Sequence, residues 1–564
     1  MRPFVKSSSI GLVMAALFPA VALATPPVTV PPTAQPGRAD QPLMIENERP
    51  AVGGAPVITV TDNKGHHALK GDVTFTLKDI HFQNLTAFTK EDLEPEFKDY
   101  LGKPVSLATI NDIADKITAR YRNAGFILSR AVVPPQSVSG GVVTIKIVEG
   151  FINQVIIQGD KTSSGLLAEY ADKIRNSKPL DVATLERYLL LMQDLPGISA
   201  RAVLRPSPGV ADASDVVITV SKKDIDGSLT LDNRGTRYLG PVQGGATVNV
   251  NSMFDMYNRT QFHTVMTSDP SEMRFFQLSH DEQLDSEGTK LTVSASRTNT
   301  APDYRLKDFD VSGIDSLYSM AISHPFIRSR RTNLFGNVSF DIRNTDNDSL
   351  GQALYKDRLR VGRFGGSYDF VDSWSAVNRF EAEISKGFNW DTTTGVNLPS
   401  RVGGQNSFWK GTMQASRLQP ITGPFSFYVA TSGQMASADL LTAEQFGIGG
   451  PTFGSAYDPS EITGDSGLDG RAELQYSDTT NFKYLPNYQL YSFYDVGTVW
   501  LRNPQSGEQD QSSLASAGVG SRFNVSDPLS GSLELAFPLT RQVAADAPNH
   551  GNDPRLFFSM AYRF

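Results

Sequence analysis

The feature that most constrains this chain is a series of short segments, from about residue 227 to the C-terminus, in which apolar and polar residues alternate. About 16 such segments can be marked, and their mean length of about 11 residues is close to the 9–11 residues that a tilted strand needs to cross a bilayer. The last segment places Leu556, Phe558, Met560, Tyr562 and Phe564 on one face. A period of two predicts strands rather than helices.

The connections between these segments support a barrel. Connections after odd-numbered segments reach about 31 residues, whereas those after even-numbered segments stay at or below about 10 residues. Outer-membrane barrels have long extracellular loops and short periplasmic turns. Closure is also required in lipid, because an open sheet edge would leave backbone groups without hydrogen-bond partners. The sequence therefore predicts a mainly β protein with a 16-stranded transmembrane antiparallel β-barrel over residues 224–564.

The N-terminus predicts export from the cytoplasm. Arg2 and Lys6 precede an apolar run that ends in small residues at 22–24, which is the order of a secretory signal peptide over residues 1–24. A membrane anchor is the alternative, but an apolar run of about 15 residues is too short to span a bilayer. Residues 25–71 are Pro-rich and aperiodic, and we expect an extended periplasmic linker there.

Two small α+β units are predicted between the linker and the barrel, at residues 72–150 and 151–223. Each shows the order strand, helix, helix, strand, strand. Ser106 and Asp181 have the positions of helix N-caps in the first and second unit. In the first unit, the last two strands are expected near 126–133 and 142–148.

Composition removes several kinds of chemistry. The chain of 564 residues has no Cys, which excludes thiol catalysis, disulfides and Cys-based metal sites. The formal net charge is -8, so no nucleic acid is expected as a partner. His66-His67 lacks the spaced ligands of a strong metal site, and no metal or cofactor is predicted. Gly464-Asp465-Ser466-Gly467 is similar to a serine-protease nucleophile motif, but no His has a motif-supported place beside it, so no catalytic residue is predicted.

Several motifs, in chain order, resemble one family of secretion proteins. NAGFILSRAVVPPQ at 123–136, followed by Val148-Glu149-Gly150, resembles the polypeptide-transport-associated (POTRA) domain of these proteins. LDNRGTRYLG at 231–240, GGPTFGSAYDPSEITGD at 449–465 and FYDVG at 493–497 resemble motifs of their barrel. The family is that of two-partner secretion transporters, also called TpsB or ShlB/FhaC/HecB haemolysin secretion and activation proteins.

This resemblance implies a barrel in the outer membrane of a Gram-negative bacterium, with two POTRA domains in the periplasm. It implies export of an unfolded TpsA-type exoprotein, which would be an adhesin, a cytolysin or a toxin, without nucleotide hydrolysis. Outer-membrane lipid is a further implied partner, and so is the barrel-assembly machinery, which would recognise the C-terminal strand at Tyr562 and Phe564. Alternatives are a POTRA-barrel membrane-protein insertase, a passive porin, or an esterase that uses Ser466.

The resemblance also implies that the sixth extracellular loop, predicted at 437–467, folds back into the barrel. Its signature residues are Gly449, Gly450, Pro451, Thr452, Phe453, Gly454, Ser455, Tyr457, Asp458, Glu461, Gly464 and Asp465. In relatives, an Arg near the loop tip pairs with the Asp of a wall motif that corresponds here to Phe493, Asp495 and Gly497. This chain has Ser455 in place of that Arg. Either a hydrogen bond from Ser455 or an ion pair from Arg471 could hold Asp495 instead, and we expect a weaker lock on the loop.

Two further sets of residues are candidates. Alternation along one segment predicts that Asp469, Arg471 and Glu473 face the lumen, because a charge is costly on the lipid face. In the first POTRA unit, an exposed strand edge could take up an unfolded polypeptide by main-chain hydrogen bonds. The residues that flank this edge are Arg130, Pro134, Pro135 and Gln136. The alternative is that they are surface residues of a scaffold.

Overall fold

The described structure has three parts, which are a short N-terminal segment, two small α+β units and a closed β-barrel. The computed structural model describes residues 30–39, 41–43, 59–60, 74–159, 165–253, 256–390 and 399–564. The predicted signal peptide and His66-His67 lie outside these residues. No helix within the described ranges is both long enough and apolar enough to cross a membrane.

The N-terminal segment lies inside the barrel. It forms a 3₁₀ turn (Pro32–Ala34), helix α1 (Pro36–Ala39) and a second 3₁₀ turn (Gln41–Leu43). Arg343 Nη1 of the barrel donates a hydrogen bond to Gly37 O at 2.6 Å. The expected extended periplasmic linker is therefore wrong for this segment. A helix of four residues is too short to show a helical period in the sequence, so the alternation of apolar residues could not reveal it.

The first α+β unit is built around one face of its long helix. Its elements are β2 (Thr74–Thr76), β3 (Asp79–Gln83), α2 (Lys90–Leu93), β4 (Pro104–Ser106), α3 (Leu107–Asn123), β5 (Arg130–Val132) and β6 (Val142–Val148). The apolar residues Ile110, Ile113, Ile117 and Tyr121 of α3 are fully buried. They pack against a sheet of order β3-β6-β5.

Local signals explain most of the element bounds in this unit. Thr89 accepts a hydrogen bond from the third residue of α2, and the predicted N-cap Ser106 does the same for α3. The predicted strand near 126–133 is shorter in the structure. Its first residues form a turn, in which the Ser129 N–H donates to Phe126 O at 3.0 Å.

The second α+β unit repeats this order. Its elements are β7 (Phe151–Gln158), α4 (Leu166–Asn176), α5 (Val182–Gln193), β8 (Ile198–Pro206) and β9 (Ala213–Lys222). The predicted cap Asp181 accepts a hydrogen bond from the Ala183 N–H at 3.0 Å. The sheet has the order β1-β8-β9-β7, and β1 (Thr59–Val60) pairs in parallel with β8.

The barrel contains 16 antiparallel strands, as predicted, and is closed by pairing of its first strand with its last. Its strands are β10 (Ile225–Asp232), β11 (Gln243–Asn251), β12 (Arg259–Thr267), β13 (Met273–Gln283), β14 (Lys290–Thr300), β15 (Val311–Arg328), β16 (Thr332–Ser349), β17 (Gln352–Val371), β18 (Val377–Gly387), β19 (Trp409–Thr422), β20 (Phe425–Ala436), β23 (Ser466–Thr479), β24 (Asn487–Trp500), β25 (Gln511–Asn524), β26 (Leu529–Pro538) and β27 (Arg555–Arg563). The two short strands β21 (Phe446–Ile448) and β22 (Ile462–Gly464) pair only with each other. They lie in the connection between β20 and β23, which is the longest of the barrel.

The two faces of the strands have opposite chemical character. In β27, Leu556, Met560, Tyr562 and Phe564 are exposed on the outer surface, whereas Phe557 is buried inside. The seam between β10 and β27 has only five paired positions. The chain end extends it, because Phe564 N–H donates to Gly227 O at 3.0 Å.

The second α+β unit contacts the periplasmic end of the barrel through α5 and the residue that follows it. Asp194 accepts two hydrogen bonds from Arg328 at 2.7 and 2.8 Å. Glu287, in the turn between β13 and β14, accepts hydrogen bonds from Lys173, Arg187 and Tyr188. These ionic contacts set the unit at the periplasmic mouth of the barrel.

Candidate functional site: the sixth loop in the barrel lumen

The connection between β20 and β23 folds back into the barrel and fills part of the lumen. We call residues 437–465 loop 6. Its two arms pair as the hairpin β21–β22, and its tip comprises residues 449–461. Loop 6 contains five carboxylates and no Lys or Arg. Each region of the loop is held by a different set of residues.

At the base of loop 6, Asp465 is fully buried. Both of its carboxylate oxygens accept hydrogen bonds from Arg401 Nη1 at 2.6 Å. The backbone N–H groups of Leu440 and Arg502 also donate to it, each at 2.7 Å. Asp465 thereby ties loop 6 to the fifth and seventh extracellular loops. Ser466, the residue of the esterase alternative, follows as the first residue of β23.

The first arm of loop 6 is fixed by Glu444. Its carboxylate pairs with Arg363 of β17 at 2.7 Å and with Lys410 of β19 at 2.5 Å. Arg363 also pairs with Asp341 of β16 at 2.6 Å. Sequence reasoning missed this cluster. Alternation within the strands could have placed Arg363 and Lys410 in the lumen, but nothing in the sequence identifies Glu444 as their partner.

At the tip, Ser455 contributes only uncharged groups. Its N–H donates to Asp495 Oδ2 at 2.9 Å, and its Oγ accepts from Arg471 Nη1 at 2.8 Å. Arg234, in the first extracellular loop, donates to Ser455 O at 3.3 Å. Both bonding arrangements that the sequence left open are therefore present together.

The cation that faces Asp495 belongs to the barrel wall. Arg471 lies directly opposite Asp495 on the neighbouring strand, and its Nη1 is 3.3 Å from Asp495 Oδ1. Glu473 accepts from Arg471 Nε and Nη2 at 3.2 and 3.0 Å, and Ser516 donates to Asp495 at 3.1 Å. Asp469 also faces inward and accepts from the Ser432 N–H at 3.0 Å.

The rest of the tip is seated by packing and by backbone contacts. Tyr457 Oη donates to Ala515 O at 3.2 Å. Ile448 packs against Gly497 so closely that a Cβ at position 497 would lie 2.6 Å from Ile448 Cδ1. Glycine at this position of the wall motif is thus required by close approach of the loop. Phe493 of the wall motif packs in one apolar cluster with Ile448 and Tyr457 of the loop.

The glycines and the remaining signature residues shape the tip. Gly449 has a φ of +127°, and a Cβ there would lie 2.1 Å from Asp458 O, so this turn requires glycine. Asp458 pairs with Arg555 of β27 at 2.7 Å. Glu461 accepts from the Ala544 N–H of the eighth loop at 2.7 Å.

The N-terminal segment is attached to loop 6. Arg38 is buried, and its Nη1 donates to the carbonyls of Thr442 and Gln445, each at 2.7 Å. Its Nη2 donates to Ser460 Oγ at 2.9 Å. Arg38 thus joins the first arm of the loop to its tip. A cavity of about 1100 Å³ remains in the lumen, lined by the N-terminal segment, by the tip of loop 6 and by the wall around Arg471.

The predicted POTRA edge is partly occupied in the structure. Gln136 Nε2 donates to Thr144 O and its Oε1 accepts from the Thr144 N–H, both at 2.7 Å. Pro134 and Pro135 have no N–H, so the pairing of β5 with β6 ends there. The side-chain amide of Gln136 then makes the two hydrogen bonds that a strand residue would make. Arg130 pairs with Asp212 of the second unit at 3.2 Å. Gln136 therefore bonds to β6 at Thr144, beyond the end of β5, while β5 itself is an outer strand of the sheet β3-β6-β5. A role of this edge in taking up a polypeptide stays a prediction.

No metal site is visible in the described part of the chain, where no three His, Asp or Glu side chains are grouped to hold an ion.

The comparisons with known proteins agree with this geometry. The family model "Haemolysin secretion/activation protein ShlB/FhaC/HecB" matches residues 212–523, and "POTRA domain, ShlB-type" matches residues 75–150. The heme/hemopexin transporter protein HuxB of Haemophilus influenzae is 22% identical over 494 residues, which are 84% of this chain and 85% of the relative. The outer membrane transporter CdiB of Dickeya dadantii is 23% identical over 478 residues, which are 81% of each chain. The solved structure of CdiB from Escherichia coli has a TM-score of 0.73 at 19% identity and covers 89% of this chain and 93% of its own, which shows the shared fold.

Proposed function

Because the chain belongs to the haemolysin secretion/activation protein ShlB/FhaC/HecB family, we propose that it exports one unfolded TpsA-type exoprotein through its lumen. Members of this family are outer-membrane transporters that secrete partner proteins and carry POTRA domains in the periplasm. The proposal specifies the route of the cargo and the parts that must move.

The observation that carries this proposal is the content of the lumen. Loop 6 and residues 30–39 and 41–43 lie in the barrel interior, where hydrogen bonds and ion pairs hold them together with several separate apolar clusters. Much of the wall around them is polar or charged. When both elements leave, the barrel becomes a water-filled channel, since 16 strands are enough for one.

We propose that the cargo is first held by the POTRA units. An unfolded polypeptide can add to a sheet edge by main-chain hydrogen bonds, with little demand on its sequence. Gln136 bonds to β6 beyond the end of β5, so the outer strands β3, β5 and β7 are all candidates. The cargo would be an adhesin, a cytolysin or a toxin.

The remaining parts of the proposal concern energy, chemistry and assembly. Folding of the cargo at the cell surface would give direction to export without nucleotide hydrolysis. No covalent chemistry is proposed, and Ser466 Oγ accepts a hydrogen bond from the Ala436 N–H at 3.4 Å at the start of β23. Tyr562 and Phe564 face outward on the last strand, where outer-membrane lipid and the barrel-assembly machinery would contact them.

A reversible cross-link tests whether loop 6 must move. The chain has no Cys, so Ser455→Cys with Ser516→Cys creates a single thiol pair between loop and wall. Both native residues lie within 3.1 Å of the same Asp495 oxygen, so a short bis-methanethiosulfonate, which forms a reducible disulfide with each thiol and releases sulfinate, can bridge them. We expect cross-linking to stop export of the partner protein and reduction to restore it.

The matched control is Ser477→Cys with Gln489→Cys. These residues face each other on β23 and β24, with Gln489 Nε2 3.0 Å from Ser477 Oγ, so that a bridge there joins two wall strands and leaves the loop free. Export that continues through a fully cross-linked Ser455–Ser516 pair would refute the proposed route.

A further inference from the structure

The ion pair between Asp458 and Arg555 differs from the contacts of Ser455 because it joins the loop to the wall by opposite charges. Asp458 lies in the tip of loop 6, and Arg555 is the first residue of β27, with Arg555 Nη2 2.7 Å from Asp458 Oδ1. The side chains are 1% and 16% exposed, respectively. Arg555 Nη1 also donates to Ala456 O at 3.0 Å. One wall guanidinium therefore binds two groups of the tip.

The ion pair between Arg471 and Asp495 does not have to break when the loop leaves. Both residues belong to neighbouring wall strands and face each other directly, so their ion pair is independent of the position of the loop. Withdrawal of Ser455 breaks only hydrogen bonds of its N–H, Oγ and carbonyl groups. Withdrawal of Asp458, in contrast, separates two nearly buried charges.

We propose that the ion pair between Asp458 and Arg555 keeps the tip of loop 6 in the closed position, with the loop supplying the carboxylate and the wall supplying the guanidinium. Asp458 and Arg555 are thus positioning residues, which act on transport by holding loop 6. This inference rests on the proposed function, since it assigns the residues that close the same lumen.

The other ion pairs that hold loop 6 are arranged in the same way, with the acidic residue in the loop and the basic residue outside it. Glu444 of the loop pairs with Arg363 and Lys410 of the wall, and Asp465 pairs with Arg401 of the fifth loop. In each of these pairs the loop supplies the carboxylate and a residue outside the loop supplies the cation. Asp458–Arg555 is the pair of this kind at the tip.

Charge reversal tests the proposal. Asp458→Arg and Arg555→Asp are each made singly and then combined, and channel opening is measured as conductance of the purified full chain in planar bilayers. We expect each single variant to raise the open fraction by about tenfold or more, because each leaves a buried charge without its partner. The double variant should return most of the way to the original open fraction.

The matched control is Asp553→Arg. Asp553 is a carboxylate two residues before Arg555, but its side chain is 61% exposed and pairs with His550 of the same loop. We expect this variant to conduct like the original chain. Heat-modifiable mobility on gels confirms that each barrel is folded. If a charge-reversed variant does not fold, Asp458→Asn and Arg555→Gln, which remove the charge with a smaller change in the side chain, are measured in the same way and should also raise the open fraction.

Single variants that conduct like the original chain, or a double variant no better than the singles, would overturn the proposal. The conductance does not depend on cargo, so failure of this inference is distinguishable from failure of the proposed function. The latter would be seen as a lack of partner export by the original chain in proteoliposomes.

Discussion

Replacement of Ser455 by Arg would place in the loop tip the cation that the family resemblance implies at this position. In this chain a cation already lies beside Ser455, because Arg471 Nη1 is 2.8 Å from Ser455 Oγ and 3.3 Å from Asp495 Oδ1. We therefore expect Ser455→Arg to open the channel rather than to lock it. The combination with Arg471→Ser should close the channel again, because it moves the cation from the wall to the loop.

The magnitude follows from Coulomb's law. Two unit charges about 4 Å apart interact by about 4 kcal/mol at an effective dielectric constant of about 20. In Ser455→Arg, attraction to Asp495 and repulsion from Arg471 are of this same size and nearly cancel, which leaves the desolvation cost of a further buried ion. Removal of Arg471 leaves the attraction alone. The coupling between the two substitutions is then about 4 kcal/mol, or about a thousandfold in the ratio of closed to open channels.

The assay is a double-mutant cycle on single-channel open probability, with entry of a large antibiotic into cells as a second reading. Arg522→Ser is the matched control in place of Arg471→Ser, because Arg522 pairs with Glu473 at 2.6 Å but belongs to the periplasmic part of the wall. It should not reverse the effect of Ser455→Arg. A Ser455→Arg channel that closes more tightly than the original, or one that Arg471→Ser leaves unchanged, would show that Arg471 is not the cation of this site.

Two further predictions concern the first POTRA unit. Deletion of residues 74–149 should leave a heat-modifiable barrel in the outer membrane but abolish export, and continued export of the partner would rule out a role of this unit in cargo capture. The second prediction rests on Glu149: burial raises its pKa, but hydrogen bonds from Thr86, Ala87 and Tyr121 outweigh burial, and the pKa lies below its usual value. Its contribution to stability is therefore complete above the usual carboxyl pKa and is lost as the pH falls through the lowered one. The protection factors of the Thr86 and Ala87 amides against hydrogen exchange should fall steeply below about pH 4 in the original chain, and should already be low at neutral pH in Glu149→Ala; equal protection in both chains at neutral pH would contradict this.

The barrel could be predicted because its signal is local. A strand has two faces, so each inward residue predicts the next one two positions later, and Asp469, Arg471 and Glu473 face the lumen in the structure. The length of a connection is a weaker signal. Long extracellular loops are predicted after the odd-numbered strands, but β16 and β17 extend so far that only Leu350 and Gly351 join them. Polar residues beyond the membrane continue the pairing there, and polarity alone does not separate a strand from a loop.

Contacts between distant parts of the chain could not be predicted in the same way. Alternation places Arg363 and Arg555 inside the barrel, but it does not say that Glu444 and Asp458 meet them. The position of Arg38 between the first arm and the tip of loop 6 had no signal at all, because its helix is a single turn.

The loop supplies the acidic residue in each of its ion pairs, and this arrangement explains why the lumen can be closed with Ser at position 455. All five charged residues of loop 6 are acidic, and its base, first arm and tip each pair a loop carboxylate with a cation outside the loop. An Arg at position 455 would be the one loop cation among these carboxylates, next to a wall that already has Arg471. With Ser455, the ion pair of Asp495 stays intact whether the loop is in or out, and the charges that separate on opening are those of Asp458, Glu444 and Asp465. With Ser at position 455, the ionic cost of opening therefore lies on the acidic residues of the loop and not on the wall motif.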